Sequence, residues 1–217
     1  MNNKYVRIFK LIERQVKGLN VPWVTKVSDK DKDPYKVLIS CILSLRTKDK
    51  TTAEASGRLF AKVSNPGQML KLSGRDIARL IYPVGFYRNK AKVILSLSKD
   101  IIDTYKGKVP SSLEKLLGLK GVGRKTANLV LGLSYGVSSI CVDTHVHRIS
   151  NRLGWVATKK PLETEQELMK IMPEKYWIRL NTVFVAFGQN ICLPVSPFCG
   201  KCRAKKLCPR KKVERHR

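Results

Sequence analysis

Four cysteines cluster near the end of the chain, Cys192, Cys199, Cys202 and Cys208, spaced C-x6-C-x2-C-x5-C. Thiolates at that density can hold a metal centre. Two other groups have the chemistry for covalent work. Lys125 follows Gly121-Val122-Gly123-Arg124, and an amine held out of its ammonium form is a nucleophile that can make a Schiff base with a sugar aldehyde. Asp143 comes soon after it, in Val142-Asp143-Thr144-His145, in a chain with few acids. A carboxylate there could stabilise positive charge developing at an anomeric carbon and assist proton transfer to or from the lysine.

Each group needs an element to position it. In Leu119-Lys120-Gly121-Val122-Gly123-Arg124-Lys125-Thr126-Ala127, two glycines separated by a single valine permit a tight turn with positive φ. The turn joins a helix ending near Gly118 to one over Arg124–Tyr135. Backbone N–H groups at the start of the second helix can approach an anion without Cβ interference. This is a helix–hairpin–helix, which grips a phosphate backbone without reading its sequence. Lys120, Gly121, Val122, Gly123 and Arg124 are its expected DNA contacts. Lys125 falls in the first turn, where the helix dipole, Arg124 and Lys120 all disfavour an ammonium. On residue type alone, Lys125 could equally be one more phosphate contact. A helix starting near Thr144 would make Asp143 its N-cap, a role compatible with a catalytic one. His145 and His147 read as structural or phosphate-contacting residues rather than metal ligands.

Helical signals dominate the rest. Asp33-Pro34 starts a helix over Tyr35–Leu45, Asp49 opens a second, and Ser73 caps a short one through Ile81. Past Gly85, apolar residues recur at helical spacing from Arg88 to Tyr105. Ser111-x-x-Glu114 has the pattern of a capping box. Pro161 opens Leu162–Met172, and Pro173 opens Glu174–Gly188. Sustained strand-type alternation and internal repeats are absent, so the fold class is all-α. Val27–Asp33 and Tyr135–Ser139 are the expected domain connections.

Lys and Arg number 43 against 16 Asp and Glu, a formal net charge of +27. Such a field concentrates anions. A thermophile-type surface would add Glu along with Lys, so the excess points to nucleic acid. The longest apolar run, Val37–Leu45, is far short of the ~20 residues that span a bilayer, and no signal peptide is evident. A membrane partner is not expected, and the cytoplasm of a prokaryote, at its nucleoid, is. Two cysteines, Cys41 and Cys141, lie in apolar runs and read as buried thiols. The other four read as one metal site, compatible with zinc or with an iron–sulfur cluster.

The order and separations of LKGVGRKTA, VDTH and the cysteine array resemble the endonuclease III family of helix–hairpin–helix DNA glycosylases across nearly the whole chain. The resemblance implies that Lys125 is the catalytic nucleophile, Asp143 its partner, and Cys192, Cys199, Cys202 and Cys208 the ligands of a [4Fe-4S] cluster with a structural role. It also implies a six-helix barrel domain over 28–136 and a cluster domain built from 1–27 and 137–217. The expected activity is that of a bifunctional glycosylase and abasic-site lyase in base excision repair. The expected partner is double-stranded DNA holding oxidised or damaged pyrimidines or abasic sites, bound by a monomer. Rival readings are a monofunctional mismatch glycosylase of the same superfamily, which would lack the hairpin lysine, and a non-catalytic DNA-binding module.

Several positions depart from the family pattern. Arg46 stands where many relatives carry the glutamine that fills the gap left by a flipped nucleotide, and Phe86 where a wedge leucine is common. His145 is a further expected DNA contact. Lys120 replaces a common proline. The Cys192–Cys199 loop is less basic than the resemblance implies, while Arg203, Lys205 and Lys206 between the last two cysteines are available for phosphate.

Overall fold

A computed structural model describes residues 3–19 and 21–217, and among them no strand occurs. The chain divides into two compact units, one of residues Trp23–Val137 and one of Met1–Pro22 with Ser138–Arg217.

The first unit holds α2 (Trp23–Asp31), α3 (Pro34–Ser44), α4 (Asp49–Phe60), the single turn α5 (Pro66–Met69), α6 (Gly74–Ile81), α7 (Tyr87–Tyr105), α8 (Leu113–Gly118) and α9 (Arg124–Tyr135). Its centre is α3, buried continuously from Val37 to Leu43. A helix apolar on all sides must be surrounded, and α2, α4, α7 and α9 pack around it. Asp33 starts α3 by accepting N–H bonds from Tyr35 (2.9 Å) and Lys36 (3.3 Å), with proline at the first helical position. The Asp49 carboxylate at the head of α4 accepts the Trp23 N–H at 3.0 and 3.1 Å, tying α2 to α4. Ile94, Leu97 and Ile101 are the core stripe of α7.

Two local expectations change. The cap of α8 is Ser112, whose hydroxyl accepts the Lys115 N–H at 3.3 Å, so Ser111 and Glu114 form no capping box. The expected connection at Val27–Asp33 lies largely within α2, which continues to Asp31 and keeps Val27 and Ser28 buried. Helix continuity therefore puts the division before Trp23 rather than at residue 28.

The second unit is built from α1 (Lys4–Val16), α10 (Thr144–Arg152), α11 (Pro161–Ile171) and α12 (Trp177–Asn190). Asn3 caps α1 through the N–H groups of Tyr5 and Val6, and Ile8, Phe9, Ile12 and Val16 form its buried face. Phe184 of α12 sits at the centre, 6.3 Å from the Phe9 ring and 5.5 Å from Trp155. The helix expected from Glu174 begins as a 3-10 turn, Glu174–Tyr176, and becomes α-helical only at Trp177. Beyond Asn190 the chain is coil apart from a short 3-10 turn, Cys199–Lys201, and carries the four clustered cysteines.

Candidate functional site

Between α8 and α9 the chain makes one turn. The Leu119 N–H donates to Leu116 O (3.2 Å) and the Val122 N–H to Leu119 O (3.1 Å). Leu119 and Val122 are buried, which leaves Lys120, Gly121, Gly123 and Arg124 exposed. Gly121 is required twice over. Its φ is +82°, and a Cβ there would lie 2.6 Å from Val93 Cγ1 of α7. Gly123 is the N-cap of α9 and brings no capping side chain to the first-turn amides, an arrangement suited to a phosphate. Lys125 is the second residue of α9 and half-buried. Close by, burial pushes the Cys41 thiol of α3 up to about 12, while the charge of Lys125 acts on it in the opposite sense.

Arg46 and Phe86, far apart in the sequence, come together in the same unit. The Arg46 guanidinium lies 5.6 Å from the centre of the Phe86 ring. Both side chains are exposed, Phe86 at 62%, so it is a surface tip rather than a core residue. Both backbones are left-handed, with φ of +52° and +58°. For non-glycine residues such geometry costs ~1–3 kcal/mol and persists only where the surroundings over-determine it. Here Gly85 presses against the Arg46 carbonyl, and a Cβ on it would come within 2.6 Å of that oxygen. The Gly85 N–H donates to Thr47 Oγ1 at 3.1 Å. Beneath the pair is a buried lysine, Lys90. Its Nζ donates to Leu43 O (2.8 Å), to Leu45 O and to Thr47 Oγ1 (3.2 Å). Burial holds Lys90 down to about 8.

In the other unit, Asp143 is the N-cap of α10. Its Oδ1 accepts the N–H groups of His145 and Val146, both at 2.9 Å. The segment leading to it is held by Asn181 of α12, whose Nδ2 donates to Cys141 O at 3.2 Å. Charges along α10 link this acid to the cysteine loop. Arg148 Nη2 lies 3.2 Å from His145 Nδ1 and donates to Cys192 O at 2.9 Å. One turn on, the buried Arg152 donates from Nη1 to Leu193 O and from Nη2 to Pro194 O (2.6 Å). His147 is 2.7 Å from Thr164 Oγ1, a structural contact within the unit.

All four clustered cysteines line one small cavity, with Ile149, Leu153, Phe187, Ile191, Pro197 and Phe198 around them. Burial pushes Cys202 up to about 11 and also raises Cys199 and Cys208. Thiolates in such surroundings need a cationic partner. Polar hydrogens already reach two sulfurs, Arg152 Nη1 to Cys192 (3.5 Å) and the Arg210 N–H to Cys208 (3.4 Å). Four thiols around one cavity, with hydrogen bonds reaching two of the sulfurs, are a donor set that fits an iron–sulfur cluster. Arg203 and Lys205 lean back on their own unit, donating to Arg14 O (3.5 Å) and Gly200 O (3.1 Å).

Lys90, Thr47, Arg148, Arg152 and Asn181 escape a reading of the sequence. The one local signal is in α10, where His145, Arg148 and Arg152 recur at i, i+3 and i+7 on one face.

A hairpin that opens a helix with Arg-Lys, and an acid that caps another, define a class of all-helical protein built to hold a phosphate backbone. Residues 39–174 match the model of the HhH-GPD superfamily base excision DNA repair proteins. The chain belongs to that superfamily and, within it, to the endonuclease III family. It is 48% identical to endonuclease III of Thermotoga maritima over 179 residues, covering 82% of this chain and 84% of that one. With mouse endonuclease III-like protein 1 the identity is 46%, but the match spans 59% of the mouse protein. The fold is similar to a trapped endonuclease III–DNA covalent intermediate in an estranged-adenine complex, with a TM-score of 0.84, 32% identity and 97% of each chain covered. It is also similar to a thermostable thymine-DNA glycosylase, with a TM-score of 0.83, 26% identity, and 96% and 97% of the two chains covered.

Proposed function

We propose that this protein is a base excision repair glycosylase and abasic-site lyase acting on duplex DNA with oxidised or otherwise damaged pyrimidines. The observation that carries the reading is the placement of Lys125 in the first turn of α9, directly behind an exposed hairpin that can take phosphate. The thymine-DNA glycosylase shares the fold, so the fold alone does not separate the readings; a lysine at residue 125 supports the lyase.

In this mechanism a damaged nucleotide leaves the stack before chemistry begins. The Lys125 amine attacks C1′ of its sugar, and the N-glycosidic bond breaks with its electron pair leaving on the base. The carboxylate of Asp143 stabilises positive charge at C1′ and takes the proton the amine sheds. Ring opening gives an imine between Lys125 and C1′. Loss of a C2′ proton then expels the 3′ phosphate by β-elimination, and water releases the lysine. Lys120, Gly121, Val122, Gly123 and Arg124 hold the backbone, His145 adds a contact, and Arg46 and Phe86 enter the space left in the helix. Cys192, Cys199, Cys202 and Cys208 would hold a [4Fe-4S] cluster, which would staple the terminal coil. The protein acts as a monomer in the cytoplasm of its host.

Borohydride trapping on abasic-site duplex tests the reading. A covalent adduct is expected with the native chain and none with Lys125→Gln. An undiminished adduct in Lys125→Gln would remove Lys125 from the mechanism, and excision with no adduct in the native chain would favour a monofunctional glycosylase.

A further inference from the structure

Lys90 carries a buried ammonium that the chemistry at Lys125 does not require. We propose that Lys90 is a positioning residue that holds Arg46 and Phe86 together as one preformed probe of the DNA stack. This rests on the base excision reading and adds to it a residue with no expected contact to DNA.

Lys90 grips both tips. Its backbone N–H donates to Phe86 O at 2.9 Å, in the first turn of α7. Its ammonium donates to Leu43 O, Leu45 O and Thr47 Oγ1, the chain on either side of Arg46. Three donors meet three acceptors. Leu43 and Leu45 lie where α3 ends, and helix ends leave carbonyls without intrahelical partners. The hydroxyl of Thr47 closes the circuit by accepting the Gly85 N–H at 3.1 Å, next to Phe86. An apolar side chain of equal length would fill the space with no cost of burying charge. What only the ammonium supplies is a clamp on the 43–47 loop. The two residues beyond that clamp, Arg46 and Phe86, are left-handed, exposed and within 5.6 Å of each other. A pair ordered in advance loses less freedom on entering DNA.

The test compares the full-length native protein with Lys90→Met. It measures affinity for a duplex holding a tetrahydrofuran abasic analogue relative to undamaged duplex, and the fluorescence of 2-aminopurine placed opposite the analogue. Unstacking of that base reports entry of the probe, which a role confined to stability would not change. The variant is expected to lose about tenfold of the affinity ratio, as for one charge-assisted hydrogen bond network, and most of the fluorescence gain. Thr47→Val removes one acceptor and the Gly85 contact at smaller risk to folding, and should shift both readouts in the same direction. Native ratio and native fluorescence in the folded variants would overturn the proposal, and if Lys90→Met does not fold, Thr47→Val decides. Failure of the base excision reading looks different: the native protein itself would show no preference for the analogue and no trapped adduct.

Discussion

Gly188 of α12 lies against His145 of α10 so closely that a Cβ on the glycine would fall 2.3 Å from the imidazole Nδ1 and 2.9 Å from Arg148 Nη2. A glycine within a helix ordinarily costs up to ~1 kcal/mol relative to alanine, and Gly188 lies in the last turn of α12. Here it allows α12 to approach the first turn of α10, the turn that Asp143 caps. Gly188→Ala is therefore expected to lower stability despite its better helix propensity, by about 1 kcal/mol after overpacking of ~1–3 kcal/mol is set against that gain. Urea unfolding measures the sign, and a stabilised variant would mean that the imidazole moves aside freely.

Capping and catalysis at Asp143 can be separated by two substitutions. Asparagine keeps an oxygen for the His145 and Val146 amides, so Asp143→Asn should hold stability within about 0.5 kcal/mol, whereas Asp143→Ala should lose about 1 kcal/mol. Both remove the carboxylate, and both should slow imine trapping by roughly 100-fold or more. Thermal unfolding alongside trapping kinetics checks each part. A fully active Asp143→Asn would leave the residue only its structural role.

The titration of Lys90 is expected to move stability and lesion preference in opposite directions with pH. Its ordinary value of 10.5 falls to about 8 in the folded chain, through burial. Between these two values the unfolded chain retains a proton that the folded chain has released, so this group's contribution to stability rises with pH and is lost as pH falls through 8. Relative to Lys90→Met, the native chain should gain up to roughly 3 kcal/mol between pH 8 and 10.5. Over the same range the ammonium becomes an amine, so preference for the abasic analogue should decline. Paired urea and binding titrations read both trends, and a preference that rises with pH would contradict the clamp.

Arg152 joins two parts of the terminal coil. Its guanidinium takes Leu193 O, Pro194 O and Cys192 Sγ, and its carbonyl accepts the Lys211 N–H at 3.1 Å. Arg152→Met keeps the carbonyl but frees the loop after Cys192, at a cost of about 2 kcal/mol for its charged hydrogen bonds. Purified protein is expected to contain iron and acid-labile sulfide, and the variant should lose its visible absorption faster in air or chelator. Zinc in place of iron would overturn the cluster assignment.

Much of the candidate site can be read locally. The hairpin follows from two closely spaced glycines between apolar helical runs, and the start of α9 at Arg124 follows with it. Asp143 is legible as a cap because a short acid before an apolar-periodic segment has few other uses. Neighbouring residues with similar chemistry leave the cap ambiguous in the sequence, as with Ser111 and Ser112, and the structure gives it to Ser112.

The sequence by itself determined the helical class, the hairpin, the lysine and the acid, and the density of thiols, because each depends on residues within a few positions of one another. Tertiary structure alone decided that Lys90 reaches back to the end of α3, that Arg46 and Phe86 share one exposed tip, that Arg152 closes the cysteine loop, and that Gly188 makes room for His145. The partners in each pair are distant in the sequence. No local propensity encodes such pairings; they exist only once packed helices bring distant loops within the reach of one side chain.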